Sequence, residues 1–241
     1  MAVVNYFTKE VNCKLVYCGP GLSGKTTNIL QIYQNVKTKR RGRLISLSSE
    51  LERTLYFDFL PIDLGRICGF RVRLHLYTVP GQVYYSASRR LIFRGADGIV
   101  FVADSSPKRK EANLEARRDL LRNLEFYGID IDGFPYVLQL NKRDVLGPMK
   151  VGEMVGELAL RGEPVIQAVA VENRGVRETL KVVARQLLRR LKYELSPIDK
   201  SQGQEPSRRS RNQRAEKFRS SDKKAVPRHR TPGIPPRAGS G

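Results

Sequence analysis

The stretch GPGLSGKT, Gly19 to Thr26, decides the fold. Glycines at 19, 21 and 24 let the backbone curl until successive N–H groups face one anion. An apolar run, CKLVYCG at 13–19, precedes the turn, and a helical run, TTNILQIYQN at 26–35, follows it. The positive end of that helix therefore meets the same anion. Every fixed position matches G-x-x-x-x-G-K-[ST], where the lysine meets the β- and γ-phosphates of a nucleotide and the hydroxyl binds Mg²⁺. The candidates for these roles are Lys25 and Thr26, with Gly19, Gly21, Leu22, Ser23, Gly24 and Thr27 completing the cradle.

Outward from this turn, short apolar runs alternate with amphipathic stretches, the pattern of a parallel sheet flanked by helices. DGIVFVADS (97–105), PYVLQLNKRD (135–144) and PVIQAVAV (164–171) read as buried strands. FRVRLHLYTV (70–79) instead alternates, with Phe70, Val72, Leu74 and Leu76 on one side and Arg71, Arg73, His75 and Tyr77 on the other. That pattern predicts a less covered strand nearer an edge. A last helix is marked by a stripe from Val176 to Leu195, with Arg177, Lys181, Arg185, Arg189 and Lys192 on its other face. Ser196-Pro197 ends it.

NKRD, Asn141 to Asp144, closes the strand PYVLQL. A carboxylate there accepts two hydrogen bonds from guanine, from N1–H and the exocyclic amine, and adenine lacks that edge. A site built for two buried hydrogen bonds rejects the base that cannot make them. Asp144 is the candidate reader, Lys142 lays its stem over the base plane, and Asn141 braces the loop. One strand further on, the N–H of Ala170 is a candidate donor to the guanine O6.

These pieces together resemble a Ras-like small GTPase and, more narrowly, the bacterial MglA family of polarity and gliding-motility GTPases. The narrower likeness rests on GPGLSGKTTN, LISLSSELERTLYFDFLP, LHLYTVPGQVYYSASRRLI, GADGIVFVADS and PYVLQLNKRD, and runs from about Asn5 to Leu191. The resemblance implies an α/β G domain over 1–195, with a mostly parallel six-stranded sheet and helices on both faces. It also implies GTP/GDP and Mg²⁺ as ligands, a homodimeric roadblock-type (MglB-like) GTPase-activating partner, and downstream polarity or motility effectors. By motif match, Gln82 orients the attacking water and Arg53 meets transition-state charge. Thr54 senses the γ-phosphate and Mg²⁺, and the Gly81 amide contacts the γ-phosphate. An arginine so placed is worth about 10³ to 10⁵ in rate.

One position departs from the small-GTPase pattern. Counting back from Gly81, the acid of Asp-x-x-Gly-Gln is Thr78, and RVRLHLYT contains no acid at all. Thr78 holds a Mg²⁺-bound water, or an acid from another segment (Asp58 or Glu52) stands behind the metal, or the chain is a scaffold that binds nucleotide poorly. Mg²⁺ keeps several waters and needs few protein ligands. Intact Lys25, Thr26, Gln82 and Asp144 argue against a scaffold, so Asp58 is the expected substitute. Pro80 removes a backbone donor beside Gly81, which predicts slow hydrolysis unless a partner helps.

The 241 residues carry a net charge of +20, and residues 196–241 hold 12 Lys/Arg against 4 Asp/Glu. Such a chain seeks polyanions. The segment 196–241 has too few apolar residues to fold alone and is expected to be disordered. With one aromatic, Phe218, it offers no stacking array for RNA, so its charge suits anionic lipid, DNA or an acidic protein equally. A rival reading is therefore an adaptor that docks on membrane or nucleic acid through this tail, with turnover incidental. Cys13, Cys18 and Cys68 show no metal or disulfide spacing, and no apolar run approaches a bilayer span. The expected location is the cytoplasm, at a pole or on the inner membrane's surface.

Overall fold

A computed structural model describes residues 2–47, 57–79 and 86–196. The tail expected from 196 onward lies, beyond Ser196, outside them. Eight strands form one sheet: β1 (Val3–Asn5), β2 (Glu10–Cys18), β3 (Ile45–Leu47), β4 (Phe57–Ile67), β5 (Phe70–Thr78), β6 (Gly98–Asp104), β7 (Tyr136–Asn141) and β8 (Val165–Gln167). Their order is β3-β4-β5-β2-β6-β7-β8, with β1 added beside β2. Strands β5, β2, β6, β7 and β8 run parallel, while β1, β3 and β4 are antiparallel to their neighbours. Eight strands among the described residues thus stand where a sheet of six was expected, with β1, β3 and β8 only three residues each.

The period-2 pattern of β5 holds: Val72, Leu74 and Leu76 are buried, while Arg71 and Arg73 are exposed and His75 and Tyr77 half-buried. Its expected place near an edge does not. β5 lies inside the sheet, paired to β2 along Arg71–Thr78 and to β4 along Phe70–Tyr77. Alternation reports that one face is thinly covered; it says nothing about which strands hydrogen-bond alongside.

Helices α1 (Lys25–Asn35), α2 (Ser86–Phe93), α3 (Lys110–Phe126), α4 (Val151–Leu158) and α5 (Val176–Leu195) divide between the faces. Ile29 and Ile32 of α1 and Val183, Leu187 and Leu191 of α5 pack on Val11, Cys13, Leu15, Leu74 and Val100. On the opposite face Phe93, Leu120, Leu124, Met154 and Leu158 cover Val16, Ile99, Phe101, Tyr136 and Leu138. Strands β6 and β7 are buried along their whole length, as strands covered on both faces must be. Between helices and sheet, buried Gln139 donates to Asn28 Oδ1 (2.9 Å) and Thr179 Oγ1 (2.8 Å), tying β7 to α1 and α5.

The topology positions the site. From β2 the chain builds β4 and β5 on one side, then crosses to β6, β7 and β8 on the other. The loop leaving the carboxyl end of β2 therefore sits where the winding reverses, the place where open α/β sheets bind ligands.

Candidate nucleotide site

The phosphate loop leaves β2 between β5 and β6 and ends at the first residue of α1, Lys25. Gly19 and Gly24 have φ of 128° and 95°. A Cβ on Gly19 would lie 2.2 Å from the Val102 carbonyl oxygen, and one on Gly24 would lie 2.3 Å from Asn141 Nδ2. Both positions demand glycine. Leu22 adopts a left-handed φ of 64° with its side chain 85% exposed. Lys25 is buried and its Nζ donates to the carbonyls of Gly19 (3.1 Å) and Pro20 (2.7 Å), so the ammonium is held inside the loop. Ser23 is fully buried and Thr27 half-buried. The thiol of Cys18, just before the loop, is pushed up by burial, with Lys25 drawing it partly back, and stays protonated.

Thr26, exposed at the start of α1, donates through Oγ1 to Asp58 Oδ2 at 2.7 Å. Asp58 on β4 is buried, and its other oxygen accepts Ser46 Oγ from β3 at 2.7 Å. Thr78 at the end of β5 donates to Asp58 Oδ2 (2.9 Å) and accepts the Asp58 amide (2.8 Å). The hydroxyl expected on the metal, the acid expected behind it and the threonine in the acid's usual place thus form one cluster. Antiparallel pairing of β4 with β5 brings them together across 20 residues. Among the described residues no group of three His, Cys, Asp or Glu side chains is set to hold a metal ion. The oxygen set of Thr26 and Asp58 nevertheless fits Mg²⁺, which takes hard oxygens and few protein ligands.

The base loops occupy the carboxyl ends of β7 and β8, which lie beyond β6 in the sheet. Asn141 is buried, donating from Nδ2 to the Ser23 carbonyl (2.7 Å) and accepting the Ala170 amide on Oδ1 (2.9 Å). One side chain therefore braces phosphate loop, β7 and the loop after β8. The Ala170 N–H expected at guanine O6 is already engaged by Asn141, so a base there would share or take over that donor. Lys142, with a left-handed φ of 61°, pairs through Nζ with Asp104 at 2.8 Å, which restrains its side chain. Asp144 is exposed. Arg53, Thr54, Gly81 and Gln82 lie outside the described residues, as does Glu52.

Three contributors went unnoticed in the sequence. Asp104 is buried at the end of β6 and also accepts the Ser106 amide at 3.0 Å. Ser46 supports Asp58, and Arg109 donates from Nη2 to the Gly21 carbonyl at 2.7 Å. For Asp104 there was a signal, an acid closing a strand with no other charge. Ser46 and Arg109 act across gaps in sequence that carry no periodicity.

A glycine-built phosphate loop at the winding reversal, with an Asn-Lys-x-Asp loop two strands along, defines a small G protein of the Ras-like class. No family model matches the chain. It is 54% identical over 192 residues to the mutual gliding-motility protein MglA of Myxococcus xanthus, covering 80% of this chain and 98% of that protein. It is also 28% identical over 86 residues to ADP-ribosylation factor-like protein 6 of Caenorhabditis elegans, covering 36% of this chain and 44% of that one. The chain belongs to the MglA family of small GTPases. At the family level it is a GTP-binding and GTP-hydrolysing G protein. No helix among the described residues is long and apolar enough to cross a membrane.

Proposed function

We propose that the chain is a GTP-dependent switch that hydrolyses GTP slowly to GDP and phosphate and acts in cell polarity or gliding motility. The observation that supports this reading is the Thr26–Asp58–Thr78 cluster, which puts the Asp58 carboxylate on the Thr26 hydroxyl although the usual acid position is Thr78. A Mg²⁺ ion bound there would offset the negative charge of the β- and γ-phosphates. Lys25 would give up the carbonyls of Gly19 and Pro20 for the phosphates, exchanging neutral acceptors for charged ones. Asp144 would select guanine, and Lys142, held by Asp104, would cover the ring. Gln82 and Arg53 are proposed to orient water and to meet the developing charge. Pro80 cannot donate beside Gly81, so a roadblock-type homodimer is the expected activating partner. Likeness to a gliding-motility protein supports the motility assignment. The basic segment 196–241 is proposed to add peripheral contact with an anionic surface, as a second function of the chain.

The test is GTP and GDP affinity with single-turnover hydrolysis, with and without a roadblock dimer. Tight binding of both nucleotides and hydrolysis that accelerates only with the dimer support the reading. Fast hydrolysis by the chain alone would overturn the partner requirement. For Asp58, an Asp58→Ala variant whose GTP affinity keeps its full Mg²⁺ dependence would remove that residue from the metal's support.

A further inference from the structure

Five carbonyls of the phosphate loop accept side-chain hydrogen bonds. Gly19 and Pro20 are held by Lys25, Gly21 by Arg109, Ser23 by Asn141, and Gly24 by Asn28. In a trans peptide the C=O and the following N–H point in opposite directions, so holding a carbonyl outward aims the next amide inward. Three of these four holders are accounted for by the base and phosphate motifs or by α1 itself. Arg109 is not. It stands on the 3₁₀ turn Pro107–Arg109 between β6 and α3, 88 residues from the loop in sequence.

We infer that Arg109 is a positioning residue for phosphate binding: by holding the Gly21 carbonyl, it aims the Leu22 N–H at the nucleotide's phosphates. Leu22 shows why a holder is needed there. A left-handed conformation is unfavourable for leucine, and this side chain is 85% exposed, so its own packing does little to maintain it. Lys25 holds the neighbouring carbonyls only until a phosphate claims its ammonium. The Arg109 contact comes from the turn after β6 and is independent of that exchange. A guanidinium also fits better than a neutral donor. Its hydrogen bond is charge-assisted, and its positive charge adds to the loop's field. Its Nε is buried without a hydrogen-bond partner, so the residue is held there at a cost that its own packing does not explain.

The inference rests on the nucleotide reading above. The test compares full-length wild type, Arg109→Ala and Arg109→Lys for GMP, GDP and a non-hydrolysable GTP analogue, with the ³¹P spectrum of bound GDP. Arg109→Ala is expected to lose about tenfold affinity for GDP and the analogue, the worth of one charge-assisted hydrogen bond. Its GMP affinity should stay within about twofold, because a base and α-phosphate do not depend on the Leu22 amide, and the β-phosphate resonance should shift. Arg109→Lys, which keeps a cationic donor, should recover most of the loss. An equal loss for GMP and GDP would make Arg109 a general structural prop, and an unchanged GDP affinity would remove it from the site; either overturns the inference. If Arg109→Ala does not fold, Arg109→Gln, which keeps a neutral donor but not the charge, takes its place with the same expected split. Wild type that binds no GDP overturns the nucleotide reading itself.

Discussion

Gly24 shows how narrowly single residues constrain this site. Its φ of 95° and the 2.3 Å approach of a would-be Cβ to Asn141 Nδ2 leave room for no side chain. An alanine would push Asn141 off both the Ser23 carbonyl and the Ala170 amide, loosening phosphate and base loops at once. Strain plus two lost buried hydrogen bonds amounts to about 3 kcal/mol, so Gly24→Ala should weaken GDP binding roughly a hundredfold. Titration with a fluorescent GDP analogue measures it, and near-normal affinity would show that Asn141 can move aside freely. Asp144 makes a different kind of prediction. An asparagine there keeps one acceptor but replaces the other with a donor, which suits the oxygen that xanthine carries in place of guanine's amine. Asp144→Asn should lose GDP and gain xanthosine diphosphate, read by competition binding. Loss of both nucleotides would mean that Asp144 acts on the loop and not on the base.

At the scale of elements, what the sequence revealed depended on whether backbone or long-range contact carried the information. The phosphate and base loops were legible because glycine spacing and strand ends define them locally. Asp58 entered the sequence reading only as one of two acids, with Glu52, that could stand in for the missing one, and its hydrogen-bond partner Ser46 not at all, since β3 meets β4 only in three dimensions. β4 itself, FDFLPIDLGRI, contains Pro61 and Gly65 and a register shift between Asp63 and Gly65, which blur the alternation that marked β5. β5 carries a prediction through His75. This half-buried ring lies edge-on to Phe59 at 5.4 Å, and burial, then the charge of Arg73, hold its pKa below the ordinary 6.5. The folded state therefore binds fewer protons than the unfolded chain in this range, so stability rises with pH. His75's contribution is fully present above about pH 6.5 and lost as pH falls through the lower folded value. Thermal midpoints of wild type should drop between pH 7.5 and 5.5 by more than those of His75→Gln. Parallel curves would place the acid sensitivity elsewhere.

For the whole molecule, charge decides which surfaces the protein meets. The +20 divides between a folded body and the segment 196–241, whose 12 Lys/Arg face 4 Asp/Glu. The body contributes too, since Arg177, Lys181, Arg185, Arg189 and Lys192 are all exposed along α5 and none forms an ion pair among the described residues. The α5 row and the segment 196–241 are thus the two candidates for the proposed polyanion contact, and salt dependence separates them. Each basic residue near an anionic bilayer contributes about 1 kcal/mol, falling within a Debye length. On duplex DNA each neutralised phosphate adds about 0.9 to the slope of log affinity against log salt. A chain ending at Ser196 should therefore bind phosphatidylserine vesicles more weakly than the full chain at low salt, with a shallower salt dependence, while GDP affinity is unchanged. A duplex assayed in parallel shows whether lipid or nucleic acid suffers the larger loss. Equal binding by both chains would instead assign the interaction to the α5 row, because that surface is all the truncated protein retains of the two.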